Sequence, residues 1–207
     1  KVFLNPSPAA GDGFGSTIIA VGGSVLVGAP KHDTLAAPNQ GEAYLFNPAT
    51  GAVVRTFANP TPATGDLFGA SLASLGSDVL IGAPVIDEAT VSGGAVYLFN
   101  ISNGNLLRIF NSPTPVLNDA FGYAVASIAP DRVVISARLE DGGVLNSGAV
   151  YVYHAGTGAL LDTFKKPAPA FEDHFGESIA VLGKRVVVGT PLDDSGGTDA
   201  GAVYAFN

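Results

Sequence analysis

A chain of 207 residues, 47% of them hydrophobic, is long enough to bury a core and reads as one domain spanning residues 1–207. Its formal net charge of −8 excludes nucleic acid and anionic lipid as partners, since both attract clustered Lys and Arg. Without cysteine there is no disulfide or thiolate metal site. No apolar run reaches the length of a membrane-spanning helix, so direct membrane insertion is not expected.

The chain opens with "KVFLNPSP" at Lys1 and contains no methionine, so a processed or excised piece is expected. From Asp12 to Pro30 it reads "DGFGSTIIAVGGSVLVGAP", and from Asp66 to Pro84 "DLFGASLASLGSDVLIGAP". The Phe-Gly pair starts at Phe14, Phe68, Phe121 and Phe175, at spacings of 54, 53 and 54 residues. A "GAP" element follows as Gly28-Ala29-Pro30 and Gly82-Ala83-Pro84, then in altered form as Ser136-Ala137-Arg138 and Gly189-Thr190-Pro191. Tyr44, Tyr97, Tyr151 and Tyr204 recur in an "AVYLF"-like run, and "RTFANPTP", "RIFNSPTP" and "DTFKKPAP" share the phase of the opening octet. Four copies of one unit are present.

Within each copy the apolar residues alternate or form short β-rich blocks. In the second copy the runs are "FGASLASLG", "DVLIGAP", "GGAVYLFN" and "NLLRIFN". Tight turns such as "VGGS" and "LGKR" separate the first two runs. "PATG", "ISNG" and "AGTG" join the last two, where Gly51, Gly104 and Gly158 can adopt the positive φ of a hairpin loop. Proline clusters then end the fourth run. Four antiparallel strands in about fifty residues make one propeller blade. The expected fold class is therefore all-β, a β-propeller of four blades with four strands each.

These motifs resemble the FG-GAP repeat, the blade of integrin α-subunit propellers and of many bacterial surface proteins. The resemblance implies an extracellular or cell-surface protein, a monomer or part of a larger surface protein. It departs from the family in two ways. The family's D-x-D-x-D-G calcium loop between the first two strands of a blade is absent, and integrin propellers have seven blades. By repeat alignment Asn207 matches Asn47 and Lys1 matches Arg55. Lys1 to Phe3 is thus expected to pair as the outer strand beside Gly201 to Phe206 and close a four-bladed ring, leaving no free sheet edge. A fragment of a larger propeller is the alternative.

Strand direction puts the fourth-to-first and second-to-third connections at one end, and thirteen of the 18 acidic residues fall in them. Two acidic positions recur in register. Asp12, Asp66, Asp119 and Asp173 stand two residues before each Phe, and Asp33, Asp87, Asp141 and Asp194 stand five after the start of "GAP". A short Asp holding its own turn explains both sets, and explains the first set better. A carboxylate ring binding Ca²⁺ through oxygen ligands is the functional reading, assigned to Asp33, Asp87, Asp141 and Asp194.

His32, His154 and His174 occupy non-equivalent repeat positions and read as surface residues. "DDSGGTD" (193–199) imitates a calcium loop in one blade only, and "GDGFG" (11–15) precedes no helix, which rules out a phosphate loop. Arg138 replaces the proline of "GAP" and is the one basic residue placed to meet an anionic group beside the acidic loops. With no motif for a nucleophile, acid or base, the function expected is a non-catalytic binding or adhesion module presenting its acidic loop end to a protein or glycan. The alternative is a metal-assisted hydrolase or lyase in the axial funnel, using loop carboxylates with His32 or His174.

Overall fold

The computed structural model describes residues 1–35, 37–84 and 93–207. Three four-stranded antiparallel sheets and one three-stranded sheet follow one another along the chain. Blade one comprises β1 (Thr17–Val21), β2 (Ser24–Ala29), β3 (Glu42–Phe46) and β4 (Val53–Ala58). Blade two comprises β5 (Ser71–Leu75), β6 (Asp78–Ala83), β7 (Ala95–Asn100) and β8 (Leu106–Asn111). Blade three comprises β9 (Phe121–Ile128), β10 (Arg132–Ala137), β11 (Ala149–His154) and β12 (Leu160–Phe164). Blade four has β13 (Ser178–Leu182), β14 (Arg185–Thr190) and β15 (Ala202–Phe206).

Position within a blade dictates composition. β6 and β7 lie between neighbouring blades and are apolar on both faces, whereas β8 buries only Phe110 and leaves Leu106, Leu107, Ile109 and Asn111 exposed. The outer hairpins repeat in detail. Gly51, Gly104 and Gly158 have φ of 82°, 78° and 75°, and each donates its N–H to the carbonyl four residues earlier. That is the conformation for which the sequence supplies glycine.

Each junction between blades is built the same way. Phe57 at the outer edge of blade one meets Phe99 of blade two at 5.2 Å, and Phe99 meets Phe68 edge-on at 6.1 Å. Phe68, Phe121 and Phe175 are fully buried. The aromatics between blades thus form a chain: each Phe-Gly ring packs on its own blade's third strand, which the preceding blade's outer Phe covers. Gly41, Gly94 and Gly148 let the backbone of one blade touch the Phe of the next, and a Cβ there would sit 2.1 Å from the Phe carbonyl oxygen. Arg55 crosses the first junction to donate to the carbonyls of Ser102 and Asn103 at 2.8 and 2.9 Å.

The altered "SAR" of blade three exchanges a bond between blades for one within a blade. In blades one and two, Thr17 and Ser71 face Gly28 and Gly82 across the strand pair and donate to the next blade's Gly69 and Gly122 carbonyls at 2.6 and 2.7 Å. In blade three the hydroxyl has moved to the other strand: Ala124 replaces Thr or Ser, Ser136 replaces Gly, and Ser136 Oγ accepts from Ala124 N at 2.9 Å.

Closure of the ring is where the structure departs from expectation. Lys1 to Phe3 forms no strand, and β15 pairs with β14 alone. Lys1 Nζ donates to Ala49 O, and Phe3 meets Phe46 at 5.2 Å, the roles that Arg55 and Phe57 play one blade later. The segment is seated on blade one as the outer strand of a preceding blade. Its backbone does not reach β15, because the innermost strands pack in series, β1 on β5, β5 on β9 and β9 on β13, without comparable packing from β13 to β1.

Candidate functional site

The two sets of connections meet at one end of the blades, as expected. Lys31 N donates to Asp12 O at 3.0 Å, Leu139 N to Asp119 O at 3.2 Å and Glu172 N to Leu145 O at 3.1 Å, so neighbouring loops are laced by backbone bonds.

Asp12, Asp66, Asp119 and Asp173 are buried beneath those loops. Each accepts the N–H three residues before it, from Ala9, Ala63, Val116 and Ala170. Their second partners differ. Asn5 and Asn59 donate to Asp12 and Asp66 at 2.6 and 2.7 Å, and Lys166 donates to Asp173 at 2.8 Å. At the equivalent place Asp119 has Ser112, which instead accepts from Thr114 N. Burial pushes the Asp119 carboxyl up to about 6, outweighing the Val116 hydrogen bond, and the nearby Glu140 and Asp141 push the same way.

The second set lies on the surface. Asp33, Asp141 and Asp194 accept the backbone N–H of Asn39, Asn146 and Asp199 at 2.6, 2.9 and 2.8 Å. Each ties together its own loop. Asp87, with Glu88, lies outside the described residues. Among the described residues no three His, Asp or Glu side chains are grouped to hold a metal ion. Nor do the first-to-second-strand turns fit the family's calcium loop: their carboxylates, Asp78 and Asp131, stand singly and engage Asn100 at 3.1 Å and His154 at 3.3 Å.

Under the loops, blades one, three and four carry distinct polar centres. In blade four Lys166 lies 2.8 Å from Asp173 and 3.0 Å from Asp193, and Tyr204 also donates to Asp193. Burial opposes ionisation of Asp193, but bonds from Ser195, Tyr204 and Lys166 prevail and hold it below the usual carboxylate range. The "DDSGGTD" stretch is therefore a capped 3-10 turn (Asp194–Gly196) whose inner carboxylate is already taken by a lysine. In blade three Tyr151 donates to the buried Glu140, with Lys165 3.5 Å away. In blade one His32 lies 3.8 Å from Asp12 and 3.5 Å from Glu42, and the facing Asp12 Oδ1 and His32 Nδ1 are buried without hydrogen-bond partners among the described residues.

Arg138 does meet an anionic group, an internal one. Its Nη1 lies 3.2 Å from Glu177 and its guanidinium 4.2 Å above the Tyr123 ring, while Tyr123 donates to Glu177 at 2.9 Å. Burial, with Arg138 beside it, lowers the His174 pKa. Glu177 and Tyr123 also line an open cleft of about 360 Å³, bordered by residues of all four inner strands, including Ile18, Leu72, Val125 and Ile179. His32 and His174 belong to separate clusters, and no hydrogen bond or ion pair joins them.

What the sequence reading missed is the apolar part of the loop end. Leu35, Leu145 and Phe171 are 110%, 52% and 62% exposed, and Val116 and Leu117 of the loop into blade three are exposed as well. Phe171 and Leu145 are brought together by the Glu172–Leu145 backbone bond, next to the exposed Asp141 and Glu172. The available signal was a large apolar residue in a Pro-, Asp- and Asn-rich loop. The buried lysine was also missed, although "KKPAP" breaks the "NPTP" pattern at that residue.

The fold and the laced loop end define a propeller-like repeat module. The FG-GAP repeat pattern matches residues 60–99, 116–153 and 169–206, more than half of the chain, and the protein belongs to the FG-GAP repeat family. It is 27% identical over 115 residues to integrin alpha-2 of Bos taurus and 28% identical over 137 residues to integrin alpha-11 of Homo sapiens. The alignments span 51% and 56% of this chain but only 10% and 11% of those relatives. Among solved structures it is similar to the computationally designed Ika8 protein, at 19% identity and a TM-score of 0.54, over 84% of this chain and 42% of that one.

Proposed function

We propose that this chain is a non-catalytic extracellular binding module of the adhesion type, which presents its loop end to a protein ligand carrying apolar and basic groups. The observation that carries the reading is Phe171 and Leu145 standing exposed on backbone-laced loops beside Asp141 and Glu172. Large apolar side chains held out by a rigid scaffold, next to exposed carboxylates, match the makeup of a recognition surface. Ordered loops also limit the entropy lost on association. The likeness of the repeats to those of integrin alpha subunits supports the extracellular setting. A glycan is the second ligand class, with Phe171 as its stacking platform.

The test is a screen of the chain against purified extracellular proteins and a glycan array, repeated with a Phe171→Ser, Leu145→Ser double variant. Both side chains are solvent-exposed, so the melting temperature should hold while affinity for the ligand found falls at least about tenfold. Binding that survives the double substitution, or that does not weaken with added salt, would move the ligand site off this end.

A further inference from the structure

The position that Lys166 fills ahead of blade four holds Asn5 ahead of blade one, Asn59 ahead of blade two and Ser112 ahead of blade three. Asn5 and Asn59 hold the buried aspartate of that turn through a neutral donor, at 2.6 and 2.7 Å. The turn therefore needs no ammonium. Blade four nonetheless buries one with two carboxylates: the side chains of Lys166, Asp173 and Asp193 are 4%, 1% and 0% exposed. Three charges shut away from water where an asparagine suffices are costly. They are also a primary amine held against two carboxyl groups, the reactants of an amide bond.

The two carboxyl groups are not equivalent. Ser195 N donates to Asp193 Oδ1 at 2.7 Å and Tyr204 donates to Oδ2, so fixed donors face both oxygens of Asp193. Donors aimed at a carboxyl oxygen stabilise the negative charge that builds there when its carbon is attacked. Asp173 accepts the Ala170 N–H and lies 2.8 Å from Lys166 Nζ, where it is placed to take the ammonium proton. Lys165, one residue earlier, shows the contrast. It lies 3.5 Å from Glu140 with its side chain 42% exposed, where water competes.

We propose that Lys166 and Asp193 join in an intramolecular amide bond, with Asp173 as the proton carrier. At rest burial disfavours the ammonium, but its bonds to Asp173 and Asp193 prevail and raise its pKa. The step is therefore slow and starts when one proton passes to Asp173. Nζ then bonds to Asp193 Cγ, and the Cγ–Oδ2 bond breaks. Of the three ammonium protons one stays on the amide nitrogen, and Asp173 relays the other two to Oδ2, which leaves as water. Asp173 ends as it began, a carboxylate, and accepts the new amide N–H. Contact between the groups makes the encounter intramolecular, and the closed site keeps water from reversing the bond. The link ties the chain leaving β12 to the connection that follows β14, and leaves one buried charge where there were three.

The intact mass of the full chain, unfolded in denaturant after long incubation at neutral pH, tests the proposal, together with a peptide map. The parent is expected to be one water lighter than its sequence, with the peptide carrying Lys166 joined to the one carrying Asp193. Lys166→Arg keeps the charge without a nucleophilic amine and should show the full mass. Asp173→Ala keeps both partners of the bond and should slow its formation at least about a hundredfold. Circular dichroism verifies that each variant folds; should one fail, the parent's own mass and map decide. A parent at full mass would overturn the proposal. So would a water loss that persists in Lys166→Arg, which would come from a succinimide at an Asp-Gly pair such as Asp12-Gly13 or Asp141-Gly142. A map joining Lys166 to Asp173 would overturn the roles assigned to the two aspartates.

Discussion

The loop that leads into blade three and the loop that leads into blade four share a turn but not its charge balance. In both, an aspartate two residues before the Phe is buried and accepts the N–H three residues back. Blade four adds Lys166, which neutralises Asp173 and reaches Asp193 as well. Blade three has Ser112 at that position, and Asp119 is left with a backbone bond and two acidic neighbours. The difference shows how little of a buried charge's cost is set by the turn that holds it. The partner arriving from the previous outer strand decides whether the site stabilises the blade or strains it.

The largest effect should come from removing the cation of blade four. Lys166→Met fills similar volume but leaves Asp173 and Asp193 buried without it, and should cost about 3–5 kcal/mol of stability at neutral pH. Denaturant melts would read the loss. A change under about 1 kcal/mol would mean that the carboxylates find water or protons instead.

Blade three should respond in the opposite sense. The folded-state pKa of Asp119 lies at about 6, above the ordinary value of 3.8, so its contribution is fully present below that ordinary value and is lost as pH rises through 6. Asp193 is depressed and behaves the other way, giving stability above the ordinary carboxylate range that disappears as pH falls. Asp119→Asn should therefore stabilise the protein at pH 7 by about 2 kcal/mol and flatten stability between about pH 4 and 7. Urea melts at several pH values measure both. An unchanged slope would place the titrating group elsewhere.

A smaller change sharpens the same contrast. Ser112→Asn gives blade three the partner that Asn59 provides in blade two, where Nδ2 donates to Asp66 and Oδ1 accepts Thr61 N. It should add about 1 kcal/mol at pH 7 and move the Asp119 transition to lower pH. No gain would show that the loop of blade three cannot close on the longer side chain.

The smallest effect concerns calcium. Asp33, Asp141 and Asp194 each already accept a loop N–H, and among the described residues no metal-holding group forms. Thermal melts in CaCl₂ should match those in MgCl₂ of equal ionic strength. A calcium-specific rise that is lost in Asp87→Asn would establish the carboxylate ring instead.

The repeat by itself carried the strands, the turns and the phase of the blades. Alternation, the Phe-Gly pairs and the hairpin glycines act over a few residues, so "FG", "GAP" and "AVYLF" mark local geometry wherever they fall. The turn-holding role of Asp12, Asp66, Asp119 and Asp173 was legible for the same reason, since the N–H that each accepts lies only three residues away. Side-chain partners were not. The hydroxyl moved from Ala124 to Ser136 looked like decay of a motif until the strand pair placed the two face to face. Lys166 reached two aspartates, one of them 27 residues on, because blade four folds its second connection over its first. Identical apolar positions are sealed in Val96 and Val150 and bare in Val203, because burial depends on whether another blade stands opposite. A repeat writes the same face into every blade. Only the assembled arc determines which of those faces meet a neighbour.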